Sequence, residues 1–294
     1  IIGRAVQGAG AIASTLMALV SDLTSEENRT KSMAAIGASI GLSFMLAMIL
    51  GPAISSAMGL SGIFWVTAVL GLIGIFVFLV AVPRTVSVKR NRETLTDVRQ
   101  IGRLVYEPNL WRLNFGIFAL HLVLMAGFVV IPTILTQEMD ISPDNLWWVY
   151  LLLIGGGFFT MLPVMILGEK YRRQKISFVA AVAVMTILMA LLAVCRGSLL
   201  TGIMLWLFFA AFNLLEAMLP SWLSKACPAG QKGTAMGIYS TSQFLGAFAG
   251  GILGGWSLQQ FGIDGLFVLL AVILAVWCLV ALGLQTPRAL QTVV

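Results

Sequence analysis

The chain has 294 residues, of which 59% are hydrophobic and only 10% charged, whereas a soluble globular domain carries roughly 25% charged residues. Water is therefore excluded as its main solvent. The net charge of +6 would suit a nucleic-acid partner, but the basic residues sit in short connectors between apolar runs and form no basic domain, which argues against one.

Apolar runs of about twenty residues, the length of a bilayer-crossing helix, recur along the whole sequence. They predict nine spans near 1–21, 33–57, 62–83, 113–135, 147–167, 176–195, 199–223, 234–257 and 264–285. Each run is about twice the length of a spanning strand and lacks strict alternation, so helices are expected rather than a barrel. The first residues already belong to an apolar helix with Arg4 inside it and no cleavage pattern after it. That arrangement does not read as a signal peptide. Cys195, Cys227 and Cys278 lie far apart without a C-x-x-C pair, so neither a disulfide framework nor a zinc site is suggested.

Lysine and arginine alternate between connectors. Arg29 and Lys31 follow the first span, and seven bases from Arg84 to Arg112 follow the third. Lys170, Arg172, Arg173 and Lys175 follow the fifth, Lys225 and Lys232 the seventh, and Arg288 the last. The intervening connectors carry none, apart from Arg196. The positive-inside rule makes the basic connectors cytoplasmic. It places the stretch Thr136 to Leu146, with Glu138, Asp140 and Asp144, outside and the C-terminus inside.

An internal repeat organises the chain. Met33 and Gly51-Pro52 have counterparts 203 residues later at Met236 and Gly254-Gly255, and Arg29 pairs with Lys232 at the same offset. Pro83-Arg84 and Pro287-Arg288 close corresponding helices at an offset of 204. Parallel repeats of this kind mark transporters built from two similar halves. The expected architecture is all-α and integral to the membrane, with three segments: 1–83, the last three helices of the first half; 84–112, a cytoplasmic basic linker; and 113–294, a six-helix second half. On this count three helices would precede residue 1. Within the linker, Thr94, Leu95, Val98, Ile101 and Val105 among arginines suit either an amphipathic surface helix or a solvated segment.

Two stretches resemble a known family. Arg4, Gln7, Gly8 and Gly10 resemble the R-x-x-Q-G-x-G signature of helix four in drug:proton antiporters of the major facilitator superfamily, and Gly51-Pro52 resembles the core of their helix-five motif. That motif usually reads G-x-x-x-G-P-x-x-G-G, whereas Ala47 replaces its first glycine here and Ser55-Ser56 its last pair. The resemblance covers essentially the whole chain. It implies a major facilitator fold truncated to family helices four to twelve, working as a multidrug-type efflux antiporter in a bacterial inner membrane. The partners implied are a small-molecule substrate, protons and membrane lipid; a monomer is expected.

Polar groups at membrane depth are costly and face protein or a watery cavity, which makes them functional candidates. Asn213 and Glu216, three residues apart, share one helical face. A carboxyl moved from water to a less polar cavity has its charged form disfavoured, which suits it to load and release protons. Glu216 is the expected proton carrier, the alternative being a bond to a neighbouring helix. Asn213 is placed to bond either that carboxyl or a substrate. His121 lies seven residues after Asn114, near one helical stripe, and is either a proton relay and substrate contact or a histidine satisfied within the bundle. Arg4 and Gln7 share a face of the first span, where a permanently charged guanidinium needs a partner. Arg4 then either tunes a carboxylate or holds a helix pair. In the family the resemblance implies that helices four, seven and ten line the central cavity, which would gather Arg4, His121 and Glu216 around one site.

Gly37, Gly41 and Gly51, and in the repeat mate Gly246, Gly250 and Gly254, recur every four residues or near multiples of four and allow helix backbones to approach. Pro52 removes a backbone donor and can kink its helix. A gating role for Gly51-Pro52 competes with simple packing. Met125 and Phe212 offer either an adaptable cavity wall or ordinary helix contact.

The sequence therefore suggests a proton-coupled antiporter, with uniport or symport left open by the altered helix-five motif. An enzyme is disfavoured by the absence of H-E-x-x-H, C-x-x-C and paired intramembrane aspartates. No cofactor motif is present, and no filter motif suggests a channel.

Overall fold

In a computed structural model the chain is described at residues 16, 19–20, 26–81, 98–228 and 231–286. All regular structure among these residues is helical: α1 (Glu26–Ala81), α2 (Val98–Tyr106), α3 (Pro108–Thr133), α4 (Leu146–Tyr150), α5 (Gly156–Lys170), α6 (Gln174–Val194), α7 (Ser198–Ala226) and α8 (Lys232–Leu282). A π-helical turn at Ile134–Glu138 extends α3, and another at Leu151–Gly155 joins α4 to α5. Six of the described helices are long and apolar enough to cross a membrane.

Counted as continuous helices, these are fewer than the nine expected spans. Of the first span only residues 16 and 19–20 are among those described. The second and third run on as α1, and the eighth and ninth as α8. Each long helix is interrupted by one glycine, Gly59 (φ 67°, ψ −174°) or Gly262 (φ 70°, ψ −169°). Positive φ with extended ψ is a conformation essentially reserved for glycine. A single residue thus makes the bend for which the sequence reading allowed several.

The helix α2 lies within the basic linker, with Leu104 buried and Arg103 exposed. It packs on α3 and α8. Glu107 caps α3 by accepting from the Leu110 N–H at 2.5 Å, and Pro108 occupies the first turn, where a missing N–H costs nothing.

Helices α3 to α8 pack as a bundle in which α8 contacts both α3 and α6, and α7 contacts α3, α5 and α6. Phe178 of α6 stacks on Trp222 of α7 (ring centroids 5.3 Å) and meets Trp277 of α8 edge-on at 6.2 Å. All three are fully buried. Gly116 of α3 accommodates the Trp277 indole, whose Nε1 stands 3.0 Å from where a Cβ would be. In a bilayer such close packing, rather than exclusion of water, holds helices together.

The closest seam joins α3 to α8. A Cβ on Gly246 would overlap the Phe118 carbonyl, one on Gly250 the Leu122 carbonyl, and one on Gly254 would lie 2.8 Å from the Ala126 Cα. The paired positions rise together in number, so α3 and the first part of α8 run in the same direction. Gly51, the repeat mate of Gly254, has no described atom within 4 Å of its Cβ position. Gly37, Gly41 and Pro52 lie on the helical path of α1. Large apolar side chains of α1, among them Trp65, Leu72, Phe76 and Leu79, are more than half exposed, which suits an apolar surround and not water.

Candidate functional site

Three spanning helices meet at a partly buried polar group. The α3–α8 glycine seam brings α8 close enough for Gln243, one turn before Gly246, to reach across to α3. Its neighbours Thr241 and Ser242 bond back to the Gly237 and Ile238 carbonyls of their own helix, at 2.9 and 3.0 Å. Gln243 instead places its Nε2 2.8 Å from His121 Nε2 of α3 and 3.4 Å from Glu216 Oε1 of α7. His121 Nδ1 then faces Glu216 Oε2 at 3.9 Å. Both of these atoms are buried and lack a hydrogen-bond partner.

The chemistry follows from the donor inventory. The glutamine Nε2 can only donate, so His121 Nε2 accepts and the neutral ring carries its proton on Nδ1. That nitrogen lies 3.9 Å from Glu216 Oε2, beyond hydrogen-bond distance, with the Ile117 backbone one turn earlier in α3 also acting on the imidazole. The arrangement is a short chain, Gln243 to His121 to Glu216 and back, in which a proton can be held at the imidazole or the carboxyl. Unpartnered polar atoms at such depth are costly, and partly satisfied networks of this kind are typical of sites with a task.

The surroundings are mixed. Phe212 of α7 lies beside the imidazole with ring centroids 6.0 Å apart and is followed by Phe208 at 6.4 Å. The Tyr239 phenol, buried one turn before Gln243, is within electrostatic reach of Glu216 and has no hydrogen-bond partner. Asn114 is buried with its Oδ1 unpartnered, while Met125 is 40% exposed.

Asn213 is directed elsewhere. Its Nδ2 donates to the Ile154 carbonyl at 3.1 Å, inside the π-helical turn where backbone carbonyls fall out of the regular ladder. It ties α7 to the α4–α5 junction and makes no bond to the Glu216 carboxyl. Arg4 and Gln7 lie outside the described residues. The structure therefore brings His121, Glu216 and Phe212 together, holds Asn213 at a neighbouring helix contact, and adds Gln243 and Tyr239. The same rule of polar residues at membrane depth, applied to the span 234–257, would have flagged Gln243.

A second polar cluster closes one end of the bundle. Arg196, just past α6, bonds Glu138 Oε2 at 3.0 Å, Asp264 Oδ1 at 2.5 Å and the Leu192 carbonyl at 3.0 Å. It joins the ends of α3 and α6 to the second part of α8. Among the described residues no group of histidine, cysteine and carboxylate side chains is placed to hold a metal ion.

Comparison with known proteins decides the family. The Major Facilitator Superfamily profile matches residues 1–251 and 128–292. The chain belongs to the Major Facilitator Superfamily. It is 44% identical over 290 residues to the protein named inner membrane transport protein YajR of Escherichia coli strain K12, covering 98% of this chain and 63% of that protein. An uncharacterized transporter, BU466, of Buchnera aphidicola subsp. Acyrthosiphon pisum is 37% identical over 255 residues, covering 85% of this chain and 64% of that protein. Another from subsp. Schizaphis graminum is 32% identical over 283 residues, covering 94% and 71%. The chain thus spans a little under two thirds of the length of the first two relatives. The helical, apolar architecture is that of a multi-pass membrane protein of this superfamily.

Proposed function

We propose that the chain forms the greater part of a secondary transporter that exchanges protons for a small, lipophilic solute by alternating access. The observation that carries the reading is the contact of His121, Glu216 and Gln243 across three spanning helices. Proton-coupled carriers need an ionisable group at membrane depth whose protonation is linked to helix packing. Here the carboxyl and imidazole face each other between α3 and α7, beside the tight α3–α8 seam. Loading a proton changes which of these contacts is favourable, and so which arrangement of the bundle is stable.

In this reading Glu216 is the proton carrier, His121 its relay, and Phe212, Met125 and Asn114 belong to the wall of the solute cavity. Arg4 and Gln7 contribute from the first half. The segments 1–83 and 113–294 act as the two halves, joined by the linker 84–112, and Gly37, Gly41, Gly51, Pro52, Gly250 and Gly254 serve packing and gating. The proposed setting is a bacterial inner membrane with the C-terminus cytoplasmic and the protein a monomer. The names of the relatives, which speak of transport, support this assignment.

The test uses the complete transporter in proteoliposomes loaded with a pH-sensitive dye. Addition of lipophilic solutes, one class at a time, is expected to drive proton movement opposite to the solute. Solute flux indifferent to an imposed pH gradient would contradict proton coupling, and co-directional movement would replace antiport by symport.

A further inference from the structure

The amide of Gln243 has two ends of opposite character, and only one of them meets the proton site. Its Nε2 lies between two atoms, His121 Nε2 at 2.8 Å and Glu216 Oε1 at 3.4 Å. Both must be acceptors, because the amide nitrogen offers two N–H groups and no lone pair. The observed orientation therefore matches one protonation state, a histidine with Nε2 bare and a carboxylate without a proton on Oε1. A proton arriving on either atom sets donor against donor. Rotating the amide by half a turn presents Oε1 instead, whose two lone pairs accept from a protonated imidazole and from a protonated carboxyl.

We infer that Gln243 is a positioning residue of proton loading, donating to both groups when the site is empty and turning its oxygen toward them when both facing atoms carry a proton. The inference rests on the reading of His121 and Glu216 as the proton-carrying pair. The bookkeeping is simple: protons from water form an N–H at His121 Nε2 and an O–H at Glu216 Oε1, and the amide turns without gaining or losing one. Among the described residues the facing ionisable groups are His121 from α3, Glu216 from α7 and Tyr239 from α8 itself, while α2, which also packs on α8, carries Arg99, Arg103 and Tyr106. Those of α6 and its end, Lys175, Cys195 and Arg196, sit in its first turn or beyond its last residue. Because Gln243 is one turn from Gly246, the turning amide acts where α8 touches the α3 backbone. The glutamine thus couples the charge on the site to the seam between two helices.

The test is an infrared pH titration of the purified protein in lipid, with no solute present. The protonated-carboxyl band that disappears in Glu216→Gln reports loading. Gln243→Met keeps the volume but removes donor and acceptor, so the carboxylate loses a charge-assisted bond and the protonated carboxyl a weaker neutral one. The charged form loses more, and the midpoint of the band is expected to move to more alkaline pH by about three- to tenfold in proton concentration, the difference between a hydrogen bond to a charged group and one to a neutral group. Ser242→Ala, whose hydroxyl bonds its own helix, should leave it in place. An unmoved midpoint in Gln243→Met overturns the role of Gln243 alone. Absence of any band lost in Glu216→Gln overturns the proton pair instead. Should Gln243→Met not reach the membrane, wild-type protein with isotopically labelled glutamine serves, since one amide carbonyl band must shift at the Glu216 midpoint. A labelled spectrum that does not change with pH contradicts the inference.

Discussion

Gly59 and Gly262 stand 203 positions apart and share one backbone conformation, φ 67° and ψ −174° against φ 70° and ψ −169°. This is the offset that relates Met33 to Met236 and Gly51 to Gly254. The correspondence continues three residues on, where a Cβ at Gly62 or Gly265 would overlap the Met58 or Phe261 Cβ of its own chain. Two bends of like backbone conformation thus stand at the spacing of the sequence repeat. Because the conformation excludes a Cβ, Gly59→Ala and Gly262→Ala should each lower stability by about 1–3 kcal/mol. Thermal unfolding of the purified variants checks this, and the two losses should be similar.

The α3–α8 seam makes a second prediction. Gly250→Ala places a methyl into the Leu122 backbone, whereas Gly251→Ala and Gly255→Ala meet nothing within 4 Å. The first should cost about 1–3 kcal/mol through overpacking and the other two almost nothing. Comparing melting temperatures of the three variants separates a packed seam from a merely glycine-rich helix.

Arg196 allows a double-mutant test at the bundle's end. Its partners differ in exposure, Glu138 at 33% and Asp264 at 65%. Solvent screens the second more strongly, so the cycle Arg196→Gln with Glu138→Gln should return a larger coupling than that with Asp264→Asn. Both should stay at or below about 1 kcal/mol, measured by denaturation of the reconstituted protein.

Much of this was legible in the sequence, but unevenly. His121 and Glu216 stand out because an imidazole and a carboxyl are rare in apolar spans. The family resemblance implies that they gather around one site, but their contact through Gln243 depends on how α3 and α7 are set by the α8 seam. Gln243, inside the span 234–257, falls under the same rule of polar residues at membrane depth. Asn213 looked like a cavity residue by its spacing from Glu216, yet its partner is a backbone carbonyl in a π-helical turn that composition does not reveal. The bends at Gly59 and Gly262 escaped notice because single glycines are common in this chain.

Orientation can be read from native cysteines. Cys195 is exposed and adjoins Arg196, while Cys227 is buried at the opposite end of α7. The positive-inside rule puts Cys195 outside. In sealed right-side-out vesicles an impermeant maleimide should label Cys195, and cysteines introduced at Thr136 to Leu146, but none placed in Val88 to Arg99. Labelling confined to the basic linker would reverse the topology.

The most direct measurement is proton-driven solute flux by the complete transporter carrying Glu216→Gln, beside His121→Asn. The amide keeps the shape and polarity of a protonated carboxyl but cannot exchange a proton. Uphill flux driven by a pH gradient should vanish in Glu216→Gln while downhill solute exchange persists, and His121→Asn should slow flux with its proton dependence altered. Uphill flux by Glu216→Gln with the wild-type pH dependence would contradict the assignment of Glu216 as the proton carrier.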